Sequence, residues 1–272
     1  YNSDPYYKAQ TTLFKNLFNE GFLKYTVLGT EEGIKTVTHE ELTRLYKDFY
    51  TPNNMFIVVT GNFDKDEVLK FIKEYMSTIY IKKSNAKVLR PREKEEVYSK
   101  YEEIALEVNE PKVVIGYKIN IGKTKDKLKT RLCLEMLLSE NFDKTGKAFL
   151  RLIENNLPRF EYSVEECDNF FIVYFTASTS EHELFAKIID EELQSLDFNL
   201  ESLNRKRKSL ISGLILQFED IVNVEDTITG NLFMYNKVIN NMESIVKSIT
   251  LKEIKNISNL ININNKSLLI EK

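Results

Sequence analysis

Tryptophan is absent from these 272 residues, and cysteine and histidine occur only twice each. Cys133 and Cys167 form no C-x-x-C pair, so neither a redox motif nor a cysteine zinc knuckle is available, and nothing demands an oxidising compartment. Cys133 lies in the apolar stretch Leu128 to Leu138 and reads as a buried thiol. His39 and His182 each open a predicted helix with no second His or Cys at ligand spacing, which excludes a zinc site built from this chain alone. Net charge is only -3, so no global field draws the chain to nucleic acid or to an acidic membrane surface. No apolar run reaches the roughly 18 residues of a membrane span, and the start, YNSDPYYK, has no signal-peptide pattern. A cytoplasmic location is the expectation. The nine glycines are too dispersed for a phosphate loop.

What the chain does have is a stretch that fixes element type and boundary together, Thr36 to Asp64. Thr38 is placed to cap a helix, Glu40 and Glu41 suit its positive end, and Leu42, Leu45, Tyr46 and Phe49 recur at helical spacing. Thr51-Pro52 stops that helix and Asn53-Asn54 turns the chain. Met55 to Thr60 is an uninterrupted apolar and β-branched run, the pattern of a strand buried on both faces, closed by Gly61-Asn62. A second helix begins at Asp64, with Val68, Phe71, Ile72 and Tyr75 on one face.

The same order returns at the C-terminus. Thr250 to Ile254 and Ile257 align with Thr38 to Leu42 and Leu45, and Asn265 to Ile270 align with Asn53 to Val58, at an offset of about 212 residues. A fixed offset across helix and strand indicates a domain-sized duplication. In that register about a hundred residues of the first repeat fall outside this chain.

In order, residues after Pro5 are expected to be helical, with Leu13, Phe14, Leu17 and Phe18 as the stripe, followed by a connection from Asn19 to Thr38. Lys82 to Lys94 is basic, lacks apolar periodicity and reads as a linker. Beyond it, Glu95 to Val108 and Lys112 to Ile119 are predicted strands, and Leu128 to Leu138 and Gly146 to Asn155 predicted helices. Phe160 to Val164 and Asn169 to Ser178 are predicted strands around a turn at Glu165 to Asp168. His182 to Leu196 and Leu200 to Phe218 are predicted long helices, with helical structure on to Met242. The fold class is therefore α+β, a duplicated fold of antiparallel-rich mixed sheets flanked by helices. Residues 1–81 form a truncated first repeat, 82–94 the linker and 95–272 a complete second repeat.

Tyr50-Thr51-Pro52-Asn53-Asn54-Met55, the apolar run and Gly61-Asn62-Phe63-Asp64 resemble the insulinase/pitrilysin family of zinc metallopeptidases, which includes the mitochondrial processing peptidases. Ser3-Asp4-Pro5-Tyr6-Tyr7, Glu110-Pro111 to Lys118 and Phe149-Leu150-Arg151 look like further landmarks, closest to two-domain bacterial members. The resemblance implies a processing-peptidase-like fold whose halves close around a chamber, with zinc held by an H-x-x-E-H helix and a downstream Glu. Three such ligands leave one position open for a water of lowered pKa. This sequence contains no H-x-x-E-H, and the family layout places that motif and the distal Glu before Tyr1. Zinc is thus expected in the parent protein, with no ligand in this chain.

The family's second half can contribute an Arg and a Tyr that bind the substrate carbonyl or the forming oxyanion. Arg151 occupies the matching place, and Tyr162 lies on the following strand. The spacing departs from the family's: Pro158 stands where the resemblance places the Tyr, and Tyr162 lies further along the chain. The alternative is a solvated helix residue at Arg151 and a packing residue at Tyr162. Arg205-Lys206-Arg207-Lys208 reads as a solvated helix face rather than a nucleic-acid patch. Glu165-Glu166 and Glu191-Glu192 read as exposed charges, and the Asn-rich tail as composition.

Three functions follow. The first is the C-terminal portion of an active zinc endopeptidase that holds extended peptides by strand addition, contributing chamber wall and substrate binding. The second is a non-catalytic peptidase-like half that binds substrate or a second peptidase-like subunit, or dimerises. The third is an interaction domain unrelated to the resemblance. In each, the isolated chain is expected to bind no catalytic zinc and to hydrolyse no peptide.

Overall fold

The computed structural model describes all residues except 1–3, 80–81, 106–109, 123 and 158–159. By spatial grouping the chain forms two units. One comprises residues 1–27, 90–211 and 243–272, and the other residues 28–89 and 212–242. This spatial division differs from the sequence boundaries at 81 and 95, because the first helix packs with the sheet of the C-terminal repeat.

The first unit is built on a five-stranded mixed sheet. Its strands are β1 (Tyr101–Ile104), β2 (Lys112–Asn120), β3 (Phe160–Cys167), β4 (Phe170–Ser178) and β5 (Lys266–Glu271), in the order β1-β5-β2-β4-β3. Among the described residues only β1 pairs in parallel, with β5; the other pairings are antiparallel. The predicted strand Glu95 to Val108 is shorter than expected, and its end at 106–108 lies outside the described residues. Strand β3 is longer than expected, so that the turn shrinks to Asp168-Asn169. Asp168 makes the turn in the left-handed region, at φ 51°, a conformation that Asp tolerates.

Alternation along β2 and β4 divides the sheet into two faces. Val113, Ile115, Tyr117, Ile119, Phe171, Val173 and Phe175 face one core. That core is covered by α5 (Lys127–Phe142), α6 (Lys147–Glu154), α7 (His182–Gln194), Val246 of α10 (Met242–Ser248) and α11 (Leu251–Ser258). Val114, Phe170, Ile172 and Leu269 face the other, where the first helix, α1 (Pro5–Leu17), supplies Ala9, Leu13, Phe14 and Leu17. Helix α1 starts on the cap of Asp4, whose carboxylate accepts the N–H groups of Tyr6 and Tyr7. Gly116 lets this helix sit close: a Cβ there would lie 3.0 Å from methyls of Leu13 and Leu17. Cys133 is buried in the helix-covered core, as expected.

The same side of the sheet that carries α1 holds a buried ion pair. Lys118 on β2 and Glu93 in the expected linker meet at 2.6 Å, with side chains 0% and 2% exposed. Glu93 also accepts the N–H groups of Asn19, Glu20 and Gly21, while Lys118 donates to the Leu17 carbonyl and lies between the Phe18 and Phe170 rings. Burial alone would raise Glu93; the Lys118 ammonium and the Asn19 and Glu20 N–H groups overcome it and hold the carboxyl at about 2. Burial pushes Lys118 down, against the opposing pull of Glu93.

Asn265 is likewise structural rather than compositional. It accepts the Val97 N–H and donates to the Glu95 and Lys118 carbonyls, which fixes the chain leading into β1 beside β2.

The second unit contains α2 (Glu31–Thr36), α3 (His39–Phe49), α4 (Lys65–Thr78), the last residues of α8 (Leu200–Gln217) and α9 (Ile221–Tyr235). Thr38 and Glu41 close a capping box at α3, and Thr250 and Glu253 close the same box at α11, so the sequence repeat is matched in cap chemistry. Helix α2 is an addition within the expected connection. Met55 to Thr60 is not a strand: it is irregular, and Met55, Phe56, Ile57 and Val59 are exposed. Among the described residues of this unit no strand forms, so this run has no ladder partner. For the same reason Phe71 and Tyr75, expected to face a core, are 67% and 59% exposed.

Candidate functional site

Arg151 comes from α6, whose N-terminal Gly146 allows a close turn after α5; a Cβ there would lie 2.2 Å from the Asn141 carbonyl oxygen. The Arg151 guanidinium donates to Glu192 at 2.9 Å and to Glu191, both on α7. Those two bonds raise Arg151 and lower Glu191. Glu192, expected to be exposed, is buried and also meets Lys147 at 3.5 Å. The cluster locks α6 to α7.

Tyr162 lies on β3 with its ring in the helix-covered core, at centroid distances of 6.2 Å from Phe142 and 5.9 Å from Phe175. Its hydroxyl donates to Asp143 at 2.9 Å. Burial, then the Asp143 charge, raises this phenol and keeps it protonated. Among the described residues no hydrogen bond or ion pair joins Arg151 to Tyr162. Pro158, at the family spacing, lies outside the described residues. Donors already committed to carboxylates differ from the uncommitted, preorganised donors that an oxyanion needs.

The basic run also differs from its expectation. Arg205 pairs with Glu140, Lys206 with Asp143, and Arg207 donates to the Ile249 carbonyl, so three of its four charges tie α8 to its neighbours. Glu166 likewise pairs with Lys127 and its side chain is buried.

What sequence reading missed is the outer edge of β3. Thr179 N–H donates to the Pro111 carbonyl and Ile121 N–H to the Asn169 carbonyl, which fixes the odd-numbered residues of β4 as those bonded to β2. The even-numbered residues of β4 therefore bond β3, through Glu161, Ser163, Glu165 and Cys167. The main-chain groups of Tyr162 and Val164 consequently point away from the sheet. The Val164 carbonyl receives Arg131 Nη2 at 3.4 Å, a long bond that confirms the direction. No further strand lies beside β3 among the described residues.

Two hollows flank this edge. On the α1 side, Asp4, Tyr6, Tyr7, Gln10, Glu161 and Tyr174 line a cavity of about 330 Å³, in which Gln10 donates to the Tyr174 hydroxyl. On the helix side, Met136, Ser139, Asp143, Tyr162, Lys206 and Leu210 line one of about 290 Å³. The sequence signal was the alternation Glu161, Ser163, Glu165, legible once β3 is known to be an edge.

The donor set does not fit a metal: among the described residues no three His, Cys, Asp or Glu side chains stand where one ion could join them. His39 is exposed at the start of α3, and His182 opens α7 with a buried Nδ1 that has no hydrogen-bond partner among the described residues. Among the described residues no helix is long and apolar enough to cross a membrane.

Comparison with known proteins extends this geometry. A Bacillus subtilis protein named uncharacterized zinc protease YmfH is 23% identical over 266 residues, covering 94% of this chain and 61% of its own length. A putative M16-like peptidase from Alicyclobacillus acidocaldarius superimposes with a TM-score of 0.90 at 19% identity, over 99% of this chain and 66% of that one. A chain of complex III2 from Candida albicans superimposes with a TM-score of 0.77 at 13% identity, over 99% of this chain and 67% of that one. The chain thus spans about three fifths of YmfH and two thirds of the Alicyclobacillus peptidase. Residues 36–210 match the model of the peptidase M16 inactive domain, and the chain belongs to that family.

Proposed function

We propose that these residues are the C-terminal portion of a zinc-dependent endopeptidase, contributing chamber wall and substrate binding, with the zinc ligands in residues beyond this chain. The observation that carries the reading is the outer edge of β3, beside which no further strand lies among the described residues, on a sheet whose fold is that of M16-like peptidases. An extended peptide can satisfy its own backbone groups on such an edge whatever its side chains, which suits hydrolysis of varied sequences. Zinc bound elsewhere in the protein would supply the activated water. The residues described here hold and orient the chain to be cut.

A second reading is a non-catalytic half that presents substrate or a partner subunit to another peptidase-like chain. It is favoured by Arg151 and Tyr162, whose donors are spent on Glu191, Glu192 and Asp143. Metal analysis of the intact protein, with the residues before Tyr1 included, separates the two. About one tightly held zinc per chain, with chelator-sensitive peptide cleavage, is the result expected of the first. Absence of both would overturn it in favour of the second.

A further inference from the structure

We infer that helix α1 is held to the sheet by a proton-dependent latch: it seats over Glu271 when that carboxyl carries a proton and lifts more readily when the carboxyl is ionised. The device is independent of the peptide reading, because it concerns how α1 is held and not what the chain binds.

Strand β5 places Glu271 on the α1 side of the sheet. It follows Leu269 on that face, and its cross-strand partner is Lys112, two residues before Val114 on the same face of β2. Glu271 is 0% exposed, and neither carboxylate oxygen has a hydrogen-bond partner among the described residues, Lys112 included. Such a carboxyl is costly to bury charged and far less so when protonated. Lys112 is engaged elsewhere. Its Nζ stands 3.3 Å from the centroid of the Tyr6 ring, in the first turn of α1, and the charge of Asp4 at the helix cap also attracts it.

From the elements packed around it, Glu271 faces Lys112 of β2, Lys8 of α1 and Ile104 of β1, with Glu102 two residues earlier on the same face of β1. Burial raises its carboxyl by more than the Lys112 and Lys8 ammonium groups lower it. Two arrangements follow. With α1 seated, Tyr6 holds Lys112, and Glu271 stays dry and takes up a proton. With α1 lifted, water reaches the carboxylate, and Lys112, released from Tyr6, is free to pair with it across the strands. The Asn16 amide of α1 and the Ser267 hydroxyl of β5 are also buried with no hydrogen-bond partner among the described residues, and lifting hydrates both.

The seated carboxyl titrates above its ordinary 4.5, so seating is strongest below pH 4.5 and weakens as pH rises through the seated value, beyond which it is constant. Glu93, at the other end of α1, acts in the opposite sense, and its contribution is complete above pH 4.5.

The test compares hydrogen exchange of the α1 amides in the 272-residue chain and in Glu271→Gln between pH 4 and pH 8, with intrinsic exchange divided out and the β4 amides as the measure of whole-sheet opening. Gln has the shape and neutrality of the protonated acid, and the Glu93 contribution is common to both proteins. The variant should slow α1 opening about three- to tenfold at pH 7 and leave it nearly unchanged at pH 4. Carbon-13 NMR of glutamate-labelled chain, with the Glu271 signal assigned by its loss in Glu271→Gln, should place its midpoint above 4.5, and Lys112→Met should move that midpoint further up.

A Glu271 midpoint at or below 4.5 overturns the latch. So does a Glu271→Gln effect of equal size at pH 4 and pH 7, or faster α1 opening in that variant at pH 7, which would make the charged carboxylate a net support of the seat. Exchange of α1 only in step with β4 would show that the helix does not lift by itself, and would overturn it as well.

Discussion

Replacing Glu93 by Gln leaves the shape of the linker unchanged and removes the carboxylate that pairs with Lys118. In the native chain Glu93 sits at about 2 instead of its ordinary 4.5. At about 1.4 kcal/mol per pH unit that difference corresponds to about 3 kcal/mol of stability at neutral pH. Its side chain is 2% exposed, so solvent screening subtracts little. Breaking a buried pair from one side costs about 3 to 5 kcal/mol, because the remaining charge stays buried without its partner. Both routes give the same size of effect.

The sign follows from the depressed carboxyl. Its contribution is fully present above pH 4.5 and is lost as pH falls toward 2. By pH 3 about 2 kcal/mol of it has gone. Urea unfolding of the native chain and of Glu93→Gln at pH 7 and pH 3 measures the gap directly, since carboxylates common to both proteins cancel. The gap should be about 3 to 5 kcal/mol at pH 7 and smaller by about 2 kcal/mol at pH 3. A gap that does not change with pH, or one below about 1 kcal/mol at pH 7, would refute the reasoning. Lys118→Met should cost less than Glu93→Gln, because the carboxylate keeps the N–H donors of Asn19, Glu20 and Gly21.

Gly116→Ala should cost about 1 to 3 kcal/mol and speed hydrogen exchange in α1, since its Cβ meets Leu13 and Leu17 at 3.0 Å. Cys133, whose thiol burial pushes up to about 12, should resist iodoacetamide at pH 8 in the folded chain and react at once in urea; fast native labelling would contradict its burial. Arg151→Met should cost about 1 kcal/mol, through the buried Glu192, because the guanidinium itself is more than a third exposed and screened by solvent. A variant as stable as the native chain would show that those pairs contribute little.

Helix caps were legible because their chemistry is local. Thr38 caps α3 as read, and the Glu three residues on closes a capping box there and, at the aligned Thr250 and Glu253, in α11. The strands β2 and β4 were legible because their apolar runs are buried on both faces of one sheet. Glu93 and Asn265 were not, since each acts across 25 or more residues, Glu93 on Lys118 and Asn265 on Lys118, Glu95 and Val97. Read alone they are one charge in a polar linker and one Asn in an Asn-rich tail. The basic run at 205–208 failed in the same way, because its acceptors lie on α5 and before α11.

Met55 to Thr60 and β5 make the reason concrete. They occupy equivalent places in the sequence repeat, both follow an Asn and both carry apolar residues. Yet β5 is laddered to β1 and β2, while Met55 to Thr60 stays irregular with exposed side chains. Helices carry their hydrogen bonds within themselves, so α3 and α4 form in either setting. A strand's bonds belong to its neighbours, and its pattern states only which neighbours it would accept. The same logic runs in reverse at β3. There the strand is formed with no further strand beside it among the described residues, so its pattern again states only which neighbours it would accept and not which one it has.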